Sequence, residues 1–285
     1  LPLVRLHSAI HFCFDEKNEI PTSDIVILAV PSSYMRNTTK EYKNLLNTKQ
    51  IIVNVAKGIE KDTLFTMSEV IKDELGDDYH VVTLSGPSHA EEVALDLPTC
   101  ITAASENEGD SKIIQQEFSF GQFRVYTNKD WKGVEIAGSL KNIIALACGL
   151  SDGLGFGDNA KAAIMTRGLF EITKIGLALG CDPFTFVGLS GVGDVIVTST
   201  SLHSRNYRAG NMLGKGYPLR IVLEKVGMVV EGINCLDSAK QLVDKYKINA
   251  PIINMMYQTV KEGKSPAEGV KNIFARDLVD ENKIH

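Results

Sequence analysis

The 285-residue chain contains no C-x-x-C pair, and its five cysteines (Cys13, Cys100, Cys148, Cys181, Cys235) are odd in number and far apart. Such spacing provides neither a disulfide framework nor a zinc site, so a reducing compartment, the cytoplasm, is expected. Basic charge is not in excess either: 30 Lys and Arg against 35 Asp and Glu leave a net charge of -5. That balance exerts no general pull on nucleic acid or an anionic membrane, and an anionic substrate must meet local positive charge. No uninterrupted apolar run reaches the roughly 18 residues of a membrane span, and the start of the sequence lacks the basic-then-apolar layout of a signal peptide. Internal repeats and low-complexity segments are lacking too, and a 44% hydrophobic, 23% charged composition excludes disorder and coiled-coil rods. The length suits two domains.

The first part of the chain alternates strand and helix patterns. Ile25 to Val30 is an apolar run ended by Pro31, Ile51 to Val55 is a second and Tyr79 to Leu84 a third. Continuous apolar runs of this length are the mark of strands buried on both faces. Helical spacing lies between them at residues 34–46 and 63–75, the latter with Asp62 or Thr63 placed to cap it, and a parallel α/β sheet is predicted. Further strands are expected at 100–104 and 122–126, flanking a helix at 110–118. Alternation around His7, His11 and Cys13 is strand-like, and with no fourth ligand nearby no metal site is expected. From Trp131 onward the pattern is helical: 131–149, 159–179, 205–213, 231–246 and 251–262, with a loosely held charged tail over the last dozen residues. The boundary is placed at 128, giving units 1–128 and 129–285. A glycine-rich G-x-G-x-x-G turn between a strand and a helix, the usual pyrophosphate cradle, is missing, since Gly153-x-Gly155-x-Gly157 and Gly191-x-Gly193 follow no strand.

Four segments carry polar chemistry. Lys57, in Ala56-Lys57-Gly58, follows a buried strand, where open α/β sheets place ligand contacts; an exposed loop lysine is the alternative. Ser85-Gly86-Pro87-Ser88-His89-Ala90 is a helix start that could also receive an anion, and Ser88 with His89 makes no triad. Lys141 and Asn142 lie inside an apolar helix. Burying an ammonium is costly unless it is used, and desolvation lowers its pKa toward the proton-exchanging range; a lysine snorkelling from the rim is the other reading. The polar run 191–206 contains Asp194, Thr198, Ser204, Arg205 and Asn206. Arg205 there has the planar fork for a phosphate, against the alternative of a capped serine-rich loop.

Taken in order, A-K-G at 56–58, S-G-P-S-H-A at 85–90, L-K-N at 140–142, G-F-G-D-N-A-K-A-A at 155–163, G-V-G-D at 191–194, H-S-R-N at 203–206 and V-E-G at 230–232 closely resemble the NAD(P)-dependent glycerol-3-phosphate dehydrogenases of the bacterial type. The resemblance runs from the first residues to about Arg276. It implies an incomplete Rossmann-like domain, N-terminally truncated before its glycine-rich unit, followed by a helical substrate domain. The implied activity is interconversion of sn-glycerol 3-phosphate and dihydroxyacetone phosphate with NAD or NADP, supplying phospholipid synthesis, in a homodimer. By the same resemblance Lys141 exchanges the proton with the secondary hydroxyl, and Lys57 is the second lysine, touching substrate and cofactor. Asp194 and Thr198 hold the reacting end, with Asn142 beside them, and Ser204, Arg205 and Asn206 grip the phosphate. Gly86 and Ser88 match substrate contacts, and Ala90, Arg205, Val229 and Glu231 match positions against the cofactor. A related hydroxy-acid dehydrogenase and a non-catalytic phosphometabolite-binding protein are the competing readings.

Overall fold

The computed structural model describes Val4, residues 7–278 and residues 280–281. One sheet runs in the order β1 (Ile25–Leu28), β2 (Ile51–Asn54), β3 (His80–Ser85), β4 (Thr99–Ala104) and β5 (Phe123–Asn128). Around it lie α1 (Glu16–Glu19), α2 (Met35–Tyr42), α3 (Met67–Leu75), α4 (Ala90–Val93) and α5 (Glu108–Phe118). Strand alternation explains why β2 is buried on both faces. Ile52 joins Met67, Val70 and Ile71 on one side, while Val53 joins Val82, Leu84 and Ile114 on the other.

The sheet is mixed rather than parallel. β1, β2 and β3 are parallel, β4 runs antiparallel to β3 with Thr83 opposite Ala104, and β5 is parallel to β4. The link from β3 to β4 holds only the four-residue α4, too little for a packed crossover helix, so the chain turns back. Gly86 starts that turn at φ +144°, where a Cβ would also lie 3.0 Å from the Ile101 Cα. Two smaller expectations are also corrected. α3 is capped by Thr66, with Glu69 closing a capping box, because Asp62 and Leu64 take positive φ in the preceding turn. Residues 7–15 form no strand; His7 accepts from the amide of Ile10 in a turn, and no neighbouring strand offers a ladder. The described tail residues from 275 onward are exposed, as a loosely held tail would be, with Arg276 donating to Asn249 Oδ1 at 2.8 Å and the Glu281 carbonyl accepting from Arg167 at 2.8 Å; residues 279 and 282–285 lie outside the described residues.

A helical assembly follows: α6 (Trp131–Gly153), α7 (Asp158–Ala178), α8 (Pro183–Phe186), a π-helical turn (Leu189–Gly193), α9 (Asp194–Thr200), α10 (Arg205–Gly214), α11 (Leu219–Val226), α12 (Glu231–Lys245), α13 (Pro251–Lys261) and α14 (Pro266–Phe274). α6 is long and apolar enough to cross a membrane, but its apolar stretch is buried inside the protein as the central core helix, among Ile172, Phe186, Leu236 and Ile253. α10 lies directly on it. A Cβ at Gly149 would come within 2.0 Å of the Tyr207 carbonyl oxygen, and one at Gly210 within 1.9 Å of that of Leu146, so only glycine permits this approach.

Glu171 on α7 fastens α13. Its carboxylate, 3% exposed, accepts from Ile252 N at 2.8 Å and Ile253 N at 3.0 Å, satisfying amides that a helix start leaves open. Burial nevertheless pushes the carboxyl up to about 7. A folded value above the ordinary 4.5 means that this group's contribution is complete below about pH 4.5 and is lost as pH rises through 7. The free energy of unfolding of wild type relative to Glu171→Gln should therefore fall by about 3 kcal/mol across that window. Urea titrations at pH 5, 6 and 7 measure it, and parallel curves for the two proteins would refute it.

Candidate active site

Two lysines from opposite parts of the chain meet on one carboxylate. Lys141 projects from the centre of α6, and Lys57 from the loop after β2. Asp194 and Thr198 are four residues apart on α9, hence on one face. The Lys141 Nζ donates to Asp194 Oδ1 at 2.9 Å and to Thr198 Oγ1 at 2.5 Å, and Thr198 Oγ1 donates to Asp194 Oδ1 at 3.2 Å. The Lys57 Nζ donates to Asp194 Oδ2 at 2.5 Å and to the Gly86 carbonyl at 3.3 Å. An ammonium has three donors, so each lysine keeps one for a substrate oxygen.

Burial dominates the electrostatics. The Asp194 side chain is 2% exposed, that of Lys141 7% and that of Lys57 24%. Burial lowers the Lys141 ammonium to about 8; Asp194 works against the fall, and the charges of Lys57 and Arg205 add to it. For Asp194 burial alone would raise the carboxyl, but Lys141 and Lys57 overcome it and hold the group below the usual carboxylate range. Three cations against Asp194 leave a positive locus in a chain of net charge -5, where an anionic substrate needs it.

Arg205 is the first residue of α10 and is exposed. Ser204 caps the helix, its Oγ accepting from Tyr207 N at 3.2 Å. Asn206 and Asn142 are paired: Asn206 Nδ2 donates to Asn142 Oδ1 at 2.9 Å, and Asn206 Oδ1 accepts from Gly232 N at 2.8 Å. These three side chains are thus engaged within the chain, fixing α10 to α6 and α12. What α10 offers an anion is the Arg205 guanidinium together with the amides of its first turn, which precede the helix's own hydrogen-bond ladder. Ser88 is exposed, its Oγ donating to the Gly86 carbonyl at 3.3 Å, and Ala90 is exposed at the start of α4.

The remaining predicted residues lie where α12 meets the loop after β1. Glu231 Oε2 accepts from Ser32 Oγ at 3.0 Å; burial raises its carboxyl while Ser32 and Arg205 oppose the rise. Val229 is 39% exposed. The loops after β1 and β2 are pressed together, since a Cβ on Gly58 would come within 2.3 Å of Ser32. Parallel β1, β2 and β3 end here, the side of an open α/β sheet that receives ligands. Such an end fits the nicotinamide part of a dinucleotide; no G-x-G-x-x-G for the pyrophosphate occurs in the 285 residues.

Two features escaped sequence reasoning. Glu135 is a second charge inside α6, 4% exposed and bonded to Asn54, Ser68 and Thr83. Its signal was a glutamate in the apolar run that already singled out Lys141. Motif 155–163, to which no role fell, provides Lys161, whose Nζ pairs with Asp152 Oδ2 at 2.7 Å while the Tyr207 hydroxyl donates to the same oxygen at 2.5 Å. That cluster ties the start of α7 to α6 and α10.

Comparison with known proteins gives the family. The family described as NAD-dependent glycerol-3-phosphate dehydrogenase N-terminus matches residues 1–111, and its C-terminus counterpart matches residues 130–271. The chain is similar to a glycerol-3-phosphate dehydrogenase (NAD(P)+) of Bacillus pumilus, 51% identical over 278 residues, covering 97% of this chain and 81% of that protein. One of Bacillus subtilis is 48% identical over 283 residues, covering 99% and 82%. A crystal structure of glycerol-3-phosphate dehydrogenase from Coxiella burnetii superposes with a TM-score of 0.87 at 35% identity, over 91% of this chain and 79% of that one. With both halves matched, the chain belongs to the NAD-dependent glycerol-3-phosphate dehydrogenase family.

Proposed function

We propose that the chain interconverts sn-glycerol 3-phosphate and dihydroxyacetone phosphate with NAD(P)+ and NAD(P)H, and that Lys141, Lys57 and Asp194 do the chemistry. The nicotinamide supplies or takes the hydride when bound. Reduction leaves negative charge on the former carbonyl oxygen, so the residues matter most where that charge develops. Lys141, lowered to about 8, is still mainly an ammonium at pH 7 and donates its free proton to this oxygen. In the oxidative direction the neutral amine takes the hydroxyl proton. Lys57 directs its remaining donor at the same oxygen, and Asp194 with Thr198 holds both ammoniums in place. Arg205 and the first amides of α10 receive the phosphate, beside Ser204, Asn206 and Asn142; Gly86 and Ser88 line the substrate's approach.

The observation that carries this reading is the single buried carboxylate shared by two lysines. We divide the chain into a cofactor unit at 1–128 and a substrate unit at 129–285, since β5 ends at Asn128 and α6 begins at Trp131. A cytoplasmic homodimer feeding phospholipid synthesis completes the proposal; five free cysteines suit a reducing compartment, and sedimentation tests the dimer. The direct test is NADH oxidation by the protein with dihydroxyacetone phosphate. Arg205→Ala should raise KM for that substrate about 10- to 100-fold, the loss of one charge-assisted contact, while barely affecting unphosphorylated dihydroxyacetone. Faster turnover of a 2-oxo acid, or glycerol 3-phosphate binding without turnover, would overturn the assignment.

A further inference from the structure

A carboxylate with no cation paired to it among the described residues lies behind the site. Oε1 of Glu135 accepts from Asn54 Nδ2 at 2.6 Å, Thr83 Oγ1 at 2.8 Å, Ser68 Oγ at 2.9 Å and Ser68 N at 3.2 Å, all uncharged donors. Burial raises this carboxyl above the usual range, and the hydroxyl and amide donors work against the rise. Such a group costs stability that an apolar residue of similar volume would not. What it holds explains its presence. Asn54 is the last residue of β2 and wholly buried. Its Nδ2 is fixed by Glu135 and its Oδ1 accepts from Ala56 N at 2.9 Å, so the side chain shapes the turn that delivers Lys57. One helical turn beyond Glu135, Gly138 makes way for Ser85, whose Oγ a Cβ there would meet at 2.6 Å, and lies against the Lys57 stem, with that Cβ 3.8 Å from the Lys57 Cδ. Three residues further, Lys141 reaches the same aspartate as Lys57. One side of α6 thus holds the turn before Lys57, lies against its stem and presents the other lysine.

We propose that Glu135 and Asn54 are positioning residues for Lys57: the Glu135–Asn54 hydrogen bond sets the Ala56–Lys57 turn and so keeps the second ammonium on Asp194, beside the reacting oxygen. The inference rests on Lys57 belonging to the active site, and the test separates the two ideas. Lys57→Met, Asn54→Ser, Glu135→Ala and Glu135→Gln are compared for kcat, KM, the pH profile of reduction and thermal midpoint. Because the Lys57 charge helps lower Lys141, both Lys57→Met and Asn54→Ser should move the alkaline limb to higher pH. Asn54→Ser should cost about tenfold in kcat with little change in KM, as small misplacements do. Glu135→Gln keeps an acceptor for Asn54 and should recover most of the kcat lost in Glu135→Ala. A limb that moves in Lys57→Met but stays in place, with wild-type kcat, in Asn54→Ser removes the positioning role and leaves the function standing. No movement in Lys57→Met removes the reading of Lys57 itself. Should Glu135→Ala fail to fold, Asn54→Asp, which keeps the Ala56 bond but faces Glu135 with a second acceptor, takes its place: wild-type kcat and limb there would equally refute the proposal.

Discussion

Lys141→Met should lower kcat for dihydroxyacetone phosphate reduction by about 10²- to 10⁴-fold, the range of a positioned proton donor, with KM changed far less. Methionine keeps the stem that packs in α6 and removes only the ammonium. The pH dependence is the sharper measurement. Lys141 is lowered to about 8, chiefly by burial, so wild-type reduction should fall as pH rises through that value and oxidation should rise through it. In Lys141→Met this limb should vanish in both directions, because the titrating group is gone. Equilibrium binding of glycerol 3-phosphate should survive, since Arg205 and the first turn of α10 are untouched. A kcat near wild type, or a limb still present near pH 8, would assign the proton transfer to another group, with Lys57 the first to examine.

How much of this was legible beforehand follows from what each signal depends on. Strand β2 is an apolar run buried on both faces, as such a run predicts, whereas β1 has the same apolar pattern but lies at the sheet edge with Ile27 48% exposed, because periodicity does not reveal which strand is flanked on one side only. The direction of β4 has no counterpart in periodicity; it depends on a link too short for a crossover helix. α9 carries little helical signal of its own, because Val195, Ile196, Val197 and Thr198 are β-branched, which lowers helix propensity. Burial of Val195, Thr198 and Ser199 against α6 overrides that preference. Lys141 was conspicuous as a cation in an apolar helix, and so was Glu135 in principle. Its partners Asn54, Ser68 and Thr83 lie 81, 67 and 52 residues away, so nothing local distinguishes its network. The same holds for Asp194, whose partner Lys57 is 137 residues distant: each polar segment was visible alone, and only folding puts them on one carboxylate.

That shared carboxylate yields the second large effect. Asp194→Asn is nearly isosteric, yet it leaves Lys57, Lys141 and Arg205 without the anion that balances them. Removing one partner of a buried ion pair typically costs about 3–5 kcal/mol, which urea titration at pH 7 should register. The sign can be checked by acidification. Asp194 is held below the ordinary 3.8, so its contribution is present above that pH and is lost only as pH falls through the lower folded value. The gap between wild type and variant should therefore be widest near neutrality and close toward acid. Catalysis should respond differently from Lys141→Met. The aspartate raises the Lys141 value, opposing burial, so its loss drives that ammonium below 8 and shrinks the protonated fraction at neutral pH. Reduction should fall by about 10²- to 10³-fold at neutral pH, the scale of a mistuned proton donor, yet recover partly as pH is lowered. Lys141→Met removes the alkaline limb, whereas Asp194→Asn should move it toward acid. A limb fixed near pH 8 in Asp194→Asn would mean that burial alone tunes Lys141 and that the aspartate merely anchors the two lysines.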